Sequence, residues 1–299
     1  MSTPPAGTRG RPWRGLALFL LLPLPAMLLG AFVAQRSGVS ARAFAVNAAA
    51  AVVGSGVAVL VGRLPGPALP RASVPCALIA LLLTAATLLF PGFSGAHRWL
   101  ELGPLRLHAS PVLAPWVLLG VGAALNRRFA QATALAVGMS ALHAVQPDAG
   151  QGTAFALAAG AVLARARETP WPKRALACAA TLAAGFAAWL RPDDLPAVPH
   201  VERIVHLAVE LAPGLGLAAV LALALLLLPA ARGVARTPGS DEGVLASGLL
   251  VYLTATLAVT VLGNFPVPVM GAGAGPILGW YTATGLLVAS CWRPAPGPP

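Results

Sequence analysis

Charged residues are scarce in this chain of 299 residues, which has 20 Lys and Arg and 9 Asp and Glu, together 10% of the sequence. A water-soluble domain carries roughly 25% charged residues, so the composition excludes that class. Hydrophobic residues make up 58% of the chain, and the mean hydropathy is +0.79. The sequence therefore predicts an integral membrane protein.

Cysteine is also rare, because only Cys76, Cys178 and Cys291 occur, far apart and without a CxxC pair or a Cys/His cluster at metal-ligand spacing. We interpret these three as small packing residues. The sequence also lacks the Gly-Lys-Ser/Thr of a phosphate-binding loop, which argues against a nucleotide site. The net charge of +11 does not indicate nucleic acid, because membrane proteins concentrate Lys and Arg in cytoplasmic loops.

Long apolar stretches dominate what is present, and their lengths predict an all-α polytopic protein of about ten transmembrane helices. No soluble domain is visible, so residues 1–299 are read as a single transmembrane domain. The predicted spans are 16–33, 43–61, 74–90, 109–125, 129–145, 152–164, 175–190, 204–231, 244–262 and 270–291.

The basic residues set the orientation of these spans. With a cytoplasmic N-terminus, 14 Lys and Arg fall inside and 6 outside, as the positive-inside rule expects, and both termini are cytoplasmic. A cleaved signal peptide ending near Ala34 is the alternative for the first span. The outer residues are Arg36, Arg42, Arg98, Arg106, Arg191 and Arg203; the inner ones are Arg9, Arg11, Arg14, Arg63, Arg71, Arg127, Arg128, Arg165, Arg167, Lys173, Arg174, Arg232, Arg236 and Arg293.

Two short polar segments between apolar spans face outward in this topology, GAHRWLELG (95–103) and QPDAGQGT (146–153). In the first, Arg98 can bind phosphate or carboxylate with two parallel hydrogen bonds, although an interfacial anchor loop is the plainer interpretation. In the second, Pro147 breaks the fifth span and Asp148 can cap the next helix. A purely structural cap is the plainer interpretation here as well.

The third outward polar segment is PHVER (199–203). Acidic and histidine side chains recur every four residues from this segment onward, at Glu202, His206 and Glu210. On one helix this spacing places them on a single face. Glu210 lies inside a long apolar span, where a carboxylate must pair, protonate or face water. A solvated loop charge at Glu202 and a structural hydrogen bond at Glu210 stay open as alternatives.

The segment 263–285 is rich in Gly and Pro at membrane depth, which is tolerated where backbone is buried in protein or lines a cavity. Taken in order, these segments resemble the SEDS family of FtsW/RodA-type peptidoglycan glycosyltransferases, over nearly the whole chain. The resemblance rests on GAHRWLELG, on QPDAG with Thr153 and Ala154, on His200-Val-Glu202 with Glu210, and on PVPVMG (266–271).

The chain also departs from the family pattern. The family has Asp where Glu202 stands, and a long amphipathic segment where this chain has only RPDDLPAVP (191–199). The Glu and Lys of the family motif at the fourth span are missing, because the chain reads His108-Ala-Ser-Pro111-Val-Leu-Ala114 there. An active site displaced by about 1 Å can lose its catalytic geometry, so these departures bear on activity.

The resemblance implies a protein of the bacterial inner (cytoplasmic) membrane that polymerises lipid II, an undecaprenyl-linked substrate, with a class B penicillin-binding protein as its partner. It implies Glu202 as the catalytic base and Arg98 and Arg203 as pyrophosphate contacts. Asp148, His206 and Glu210 complete the substrate-binding residues. No cofactor is specified by these motifs, and a divalent cation stays open.

Two other functions remain open from the sequence. The first is a catalytically impaired SEDS-like scaffold or regulator of a penicillin-binding protein in cell division or shape maintenance. The second is a lipid transporter, for which an intramembrane Glu210 and broken helices would form the site.

Overall fold

The computed structural model describes residues 17–65, 68–103 and 105–292, and these form a helical bundle with one short β-hairpin. Arg9, Arg11, Arg14 and Arg293, which entered the topology prediction, lie outside the described residues. The helices are α1 (Leu24–Arg36), α2 (Ala45–Gly62), α3 (Ala68–Ala86), α4 (Ala109–Ala124), α5 (Phe129–Val145), α6 (Ala149–Leu163), α7 (Trp171–Phe186), α8 (Pro199–Glu202), α9 (Ile204–Leu211), α10 (Pro213–Leu225), α11 (Leu228–Arg236), α12 (Asp241–Ala258) and α13 (Ala274–Cys291); the strands are β1 (Trp99–Leu102) and β2 (Leu105–His108).

The prediction of an all-α polytopic membrane protein is confirmed. By length and composition, five helical segments of the described part can cross a bilayer, and three shorter apolar helices lie between them. Both cytoplasmic termini stay a prediction. The five long segments are Ala17–Arg36, Ala41–Gly62, Ala68–Leu89, Pro213–Arg236 and Asp241–Val261, and the shorter helices are Ala109–Ala124, Phe129–Val145 and Ala149–Leu163.

The central helix is α13, in which most residues are buried. Its glycines allow neighbouring backbones to approach, since a Cβ at Gly279 would overlap the carbonyl oxygen of Pro111. A Cβ at Gly285 would come within 2.9 Å of the Cα of Ala58 in α2. Small residues at such crossings are typical of helix packing in membranes, and they explain the glycine content of the last predicted span.

The prediction of one continuous span over 204–231 is wrong. The helix that begins at Ile204 ends at Leu211, and Ala212 has extended backbone angles of φ −166° and ψ 138°. Pro213 explains the break, because proline disfavours helical angles in the residue before it and has no N–H to donate. A further turn after Leu225 separates α10 from α11.

The prediction that residues 95–103 form an anchor loop missed a β-hairpin. β1 and β2 pair antiparallel, with Trp99 opposite His108 and Glu101 opposite Arg106. Arg106 and Glu101 form an ion pair across the strands at 3.4 Å. Gly103, with a φ of 62°, lies in the turn that reverses the chain. The hairpin brings Arg98, which precedes β1, close to His108 at the end of β2, and the N–H of Ala109 donates to the carbonyl oxygen of Arg98 at 3.1 Å.

Candidate functional site

Asp148 lies at the start of α6 and is almost completely buried. Its Oδ1 accepts a hydrogen bond from the backbone N–H of Gln151 at 3.2 Å, so it caps the helix as predicted. Its Oδ2 lies 2.8 Å from Nε2 of His108 at the end of β2. Burial raises the pKa of the Asp148 carboxyl, but the positive charge of Arg98 and the contact with His108 outweigh burial and hold the pKa below its ordinary value.

Arg98 is a buried cation beside this carboxylate. Its side chain is 6% exposed and pairs with Asp193 at 2.5 Å. The same guanidinium nitrogen donates a hydrogen bond to the carbonyl oxygen of Pro147. Among the described residues, the Nε of Arg98 has no hydrogen-bond partner although it is buried, which leaves a donor at the site unused.

Asp193 belongs to the connector between α7 and α8, a segment that is short here compared with the family pattern. Residues 192–198 have no regular secondary structure, and the Asp193–Arg98 pair attaches this connector to the hairpin. Leu195, Pro196 and Val198 then form one wall of a cavity. The connector thus shapes the site, although its length gave no sign of such a role.

Glu202 ends α8 and faces the same cavity. Its Oε2 accepts a hydrogen bond from the backbone N–H of Val198 at 2.5 Å. Burial raises the pKa of the Glu202 carboxyl above its ordinary value, and the hydrogen bond from Val198 only partly offsets this effect. A carboxylate with a raised pKa is a better proton acceptor than an exposed one.

The cavity holds about 930 Å³ of space including its open mouth. Arg98, Glu202, His108 and Arg106 supply its charged and titratable walls. The loop before α13 and the first turn of that helix supply a further wall, with lining residues between Asn264 and Pro276. The site therefore combines a carboxylate, an imidazole and two guanidinium groups in one space.

The backbone of that loop is held in place by contacts from distant parts of the chain. The buried side chain of Asn47 donates to the carbonyl of Gly271 at 2.9 Å and accepts from the N–H of Gly273 at 2.8 Å. The N–H of Val267 donates to the carbonyl of Val201 at 3.0 Å. Val269 has a φ of 68°, which is costly for a β-branched residue and is found mainly at functional sites.

A mostly apolar groove adjoins the cavity and shares His108, Pro266 and Pro276 with it. The groove holds about 650 Å³ of space including its opening. Side chains of α12 and α13, such as Leu253, Leu257 and Trp280, form much of its lining. An apolar groove beside a polar cavity suits a ligand that has both a polar head and an apolar part.

The predicted stripe of Glu202, His206 and Glu210 on one helix is wrong. Glu202 ends α8, Arg203 interrupts the helix with φ −112° and ψ 16°, and His206 and Glu210 belong to α9. Arg203, His206 and Glu210 are exposed on the surface of the described part of the chain. The opposite face of α9, with Ile204 and Ala208, packs into the core.

Of the six predicted site residues, Arg98 and Glu202 line the cavity, and Asp148 lies near Arg98 and lines the adjoining groove. Arg203, His206 and Glu210 lie outside the cavity, and their proposed contacts with substrate stay predictions. Sequence reasoning missed His108, which it treated only as a departure from a family motif. Its position at the end of the alternating LRLH strand could have suggested a side chain directed at the start of α6.

Within residues 17–65, 68–103 and 105–292, no three His, Cys, Asp or Glu side chains gather in a way that could hold a metal ion. At the candidate site, the described residues that could contact a divalent cation include His108 and Asp148, whose Nε2 and Oδ2 lie 2.8 Å apart.

Comparison with known proteins rests on the fold. No protein-family model matches the chain, and no curated protein matches it in sequence. The structure of the rod shape determining protein RodA of Thermus thermophilus superposes with a TM-score of 0.68 at 20% identity, over 92% of this chain and 95% of that chain. The chain has the RodA fold.

Two further solved structures agree with this match. A single-residue mutant of the same RodA gives a TM-score of 0.67 at 20% identity, over 92% of this chain and 95% of that chain. A peptidoglycan synthase complex gives 0.64 at 20% identity, over 92% of this chain and 96% of the matched chain. The RodA fold thus extends over nearly the whole chain, as the SEDS resemblance of the sequence implied.

Proposed function

We propose that this protein is a SEDS-like component of bacterial cell-wall synthesis that binds lipid II and polymerises it into glycan strands. The observation that carries the proposal is the pairing of Glu202 and Arg98 in one cavity of a RodA-type fold. The apolar groove beside that cavity supports it, because lipid II carries a polyprenyl chain on a pyrophosphate-linked sugar.

The reaction joins two substrate molecules. An acceptor sugar hydroxyl attacks the anomeric carbon of the growing strand and forms the new C–O bond. The bond from that carbon to the pyrophosphate oxygen breaks, and undecaprenyl pyrophosphate leaves with the electron pair. Glu202 takes the hydroxyl proton. Arg98 stabilises the charge on the departing pyrophosphate.

Asp148 and His108 have a supporting role in this scheme, because they hold charged groups of the site in place. The negative charge of Asp148 holds the guanidinium of Arg98 and the imidazole of His108 at the cavity wall. Arg203, His206 and Glu210 face outward, so we assign them contacts with the substrate before it enters the cavity. The protein would work in the inner membrane with a class B penicillin-binding protein, and the fold match to a peptidoglycan synthase complex supports such a partner.

A second candidate function is a SEDS-like scaffold with little catalysis of its own. The internal contacts of the charged groups favour this function. The carboxylate of Glu202 accepts a hydrogen bond from the N–H of Val198, and Arg98 forms an ion pair with Asp193. Catalysis requires both groups to turn from these internal partners toward substrate. A scaffold would bind lipid II or its partner without that change.

Reconstitution separates the two functions. The purified protein is placed in liposomes with labelled lipid II, alone and with its candidate transpeptidase, and the products are resolved by gel electrophoresis. We expect a ladder of glycan strands in at least one of these conditions. Retention of lipid II or of the transpeptidase without any polymer would support the scaffold, and failure to bind either one would contradict both candidates.

The pH dependence of polymerisation tests Glu202 as the base. Because burial raises the pKa of Glu202, we expect the rate to rise with pH through a midpoint above the ordinary range of a glutamate. The sign follows from the mechanism, since only the deprotonated carboxylate accepts the hydroxyl proton. The measurement is the initial rate of lipid II consumption across a pH series. An identical acid limb in the residual activity of a Glu202→Gln variant would contradict the assignment.

A further inference from the structure

A second polar cavity lies at the opposite end of the helices from the candidate site. Helix α6 runs from Asp148 at the site to Leu163, and its 15 residues rise about 22 Å. Arg165 and Arg167 follow directly after this helix and line the second cavity. The cavity therefore belongs to the membrane face opposite the site, which the positive-inside pattern predicts to be cytoplasmic.

Three arginines, Arg165, Arg167 and Arg174, line this cavity, which holds about 740 Å³ of space including its mouth. No carboxylate is among its lining residues. In the part of the chain that the structure describes, none of the three forms an ion pair. The other polar lining groups are the hydroxyls of Thr237, Ser240 and Ser247.

The three guanidinium groups leave most of their donors unused. Arg165 and Arg174 each donate one hydrogen bond to a carbonyl oxygen near the end of α6, at 2.7 and 3.0 Å. Arg167 donates one to the carbonyl oxygen of Gly239 at 2.5 Å. A guanidinium carries five N–H donors, and the buried Nε of Arg174 has no partner among the described residues.

The nearby acidic residues form no ion pair with these arginines in the described part of the chain, and Glu168, which follows Arg167, is exposed. Asp241 and Glu242 occupy the first turn of α12, and Asp241 accepts a hydrogen bond from Asn126 at 3.5 Å instead. Three like charges around one cavity repel each other. A bound anion removes that repulsion and accepts hydrogen bonds from the unused donors. The positive charge of the cavity comes from the three arginines and not from the N-terminus of α12, whose first turn carries Asp241 and Glu242.

The surroundings of the cavity indicate a lipid as the source of the anion. Helix α7, which carries Arg174, also presents Trp171 and Leu176, each 72% exposed. Tryptophan is enriched at the interface of the bilayer, so the cavity lies at the depth of the headgroups. Arginine recognises phosphate through two parallel hydrogen bonds, and basic pockets between transmembrane helices on the cytoplasmic side bind phospholipid headgroups.

We propose that Arg165, Arg167 and Arg174 form a binding site for the phosphate headgroup of an anionic phospholipid, on the membrane face opposite the candidate active site. The bound headgroup supplies the counter-charge that the cavity lacks and fixes the turn between α11 and α12 against the end of α6. This site is independent of the proposed polymerisation and stands whether or not the protein is an enzyme.

Native mass spectrometry of the purified protein with equal amounts of phosphatidylglycerol and phosphatidylcholine tests the site. The test variant is Arg165→Gln/Arg167→Gln/Arg174→Gln. The matched control, Arg127→Gln/Arg128→Gln/Lys173→Gln, removes the same charge from exposed residues on the same predicted face that do not line the cavity. We expect bound phosphatidylglycerol to fall at least about tenfold in the test variant and to stay close to wild type in the control.

Three results would overturn the proposal. Equal losses in both variants would mean that bulk charge alone attracts the lipid. Equal retention of phosphatidylcholine and phosphatidylglycerol by the wild type would mean that the arginines do not select for charge. Displacement of phosphatidylglycerol by millimolar inorganic phosphate would identify a soluble anion as the ligand. If the triple variant does not elute as a single species, Arg165→Gln alone, at an exposed position, replaces it and is expected to lose bound phosphatidylglycerol severalfold.

Discussion

We expect Glu202→Gln to lower the rate of lipid II polymerisation by about 10²- to 10⁴-fold, the contribution that a positioned general base makes. Glutamine keeps the size of the side chain and can still contact the N–H of Val198, but it cannot accept the hydroxyl proton. Binding of lipid II is therefore expected to change little. The measurement is the single-turnover rate of glycan formation, with lipid II retention measured on the same preparation.

Asp194→Asn is the matched control for this variant, because Asp194 is an exposed carboxylate in the neighbouring connector and does not line the cavity. We expect its rate to stay within about twofold of wild type. Polymerisation by Glu202→Gln at the rate of the control would remove Glu202 from the mechanism. Parallel loss of lipid II binding and rate would show that Glu202 holds the substrate and does not transfer the proton.

The second large effect concerns stability. We expect Asp148→Ala to lower the free energy of unfolding by about 3–5 kcal/mol, because removing one member of a buried charge cluster leaves the others without compensation. Asp148 caps α6, contacts His108 and balances the charge of Arg98. Because the folded pKa of Asp148 lies below its ordinary value, this stabilisation is present at neutral pH and is lost as the pH falls through the acidic range.

The measurement is denaturant or thermal unfolding of the detergent-solubilised protein, with Asp193→Ala as the comparison. Asp193 is the carboxylate that forms the ion pair with Arg98, but its side chain is 31% exposed. A partly exposed ion pair contributes roughly 0–1 kcal/mol, so we expect a much smaller loss. Equal losses in the two variants would contradict the central place of Asp148 in the cluster.

Much of the fold could be predicted from the sequence, because apolar length is a local property and the bilayer fixes how long a span must be. The helices α5 and α6 begin or end within a few residues of their predicted bounds, and Asp148 caps α6 as expected. The hairpin of residues 99–108 was not predicted, since two four-residue strands carry too short a pattern. The break at Ala212 was missed although Pro213 marks it.

The site could be predicted only in part. Arg98, Asp148 and Glu202 were identified because a charged side chain between apolar segments has a high free-energy cost in a bilayer and therefore indicates a function. His108 was missed because its partner lies 40 residues away in the sequence. Asp193 was missed because it pairs with Arg98 across 95 residues. The stripe at Glu202, His206 and Glu210 failed because its periodicity holds only on an unbroken helix, and Arg203 interrupts that helix.

The sequence by itself determined that the chain belongs in a membrane, where most of its helices lie, and which charged residues need an explanation. Those properties follow from the local free energy of transferring residues into hydrocarbon. The tertiary structure alone decided which of those charges share a cavity, which face outward, and that three arginines far from the site surround a second cavity. These outcomes depend on helix packing and on a helix break that redirects side chains, and such contacts join residues far apart in the sequence.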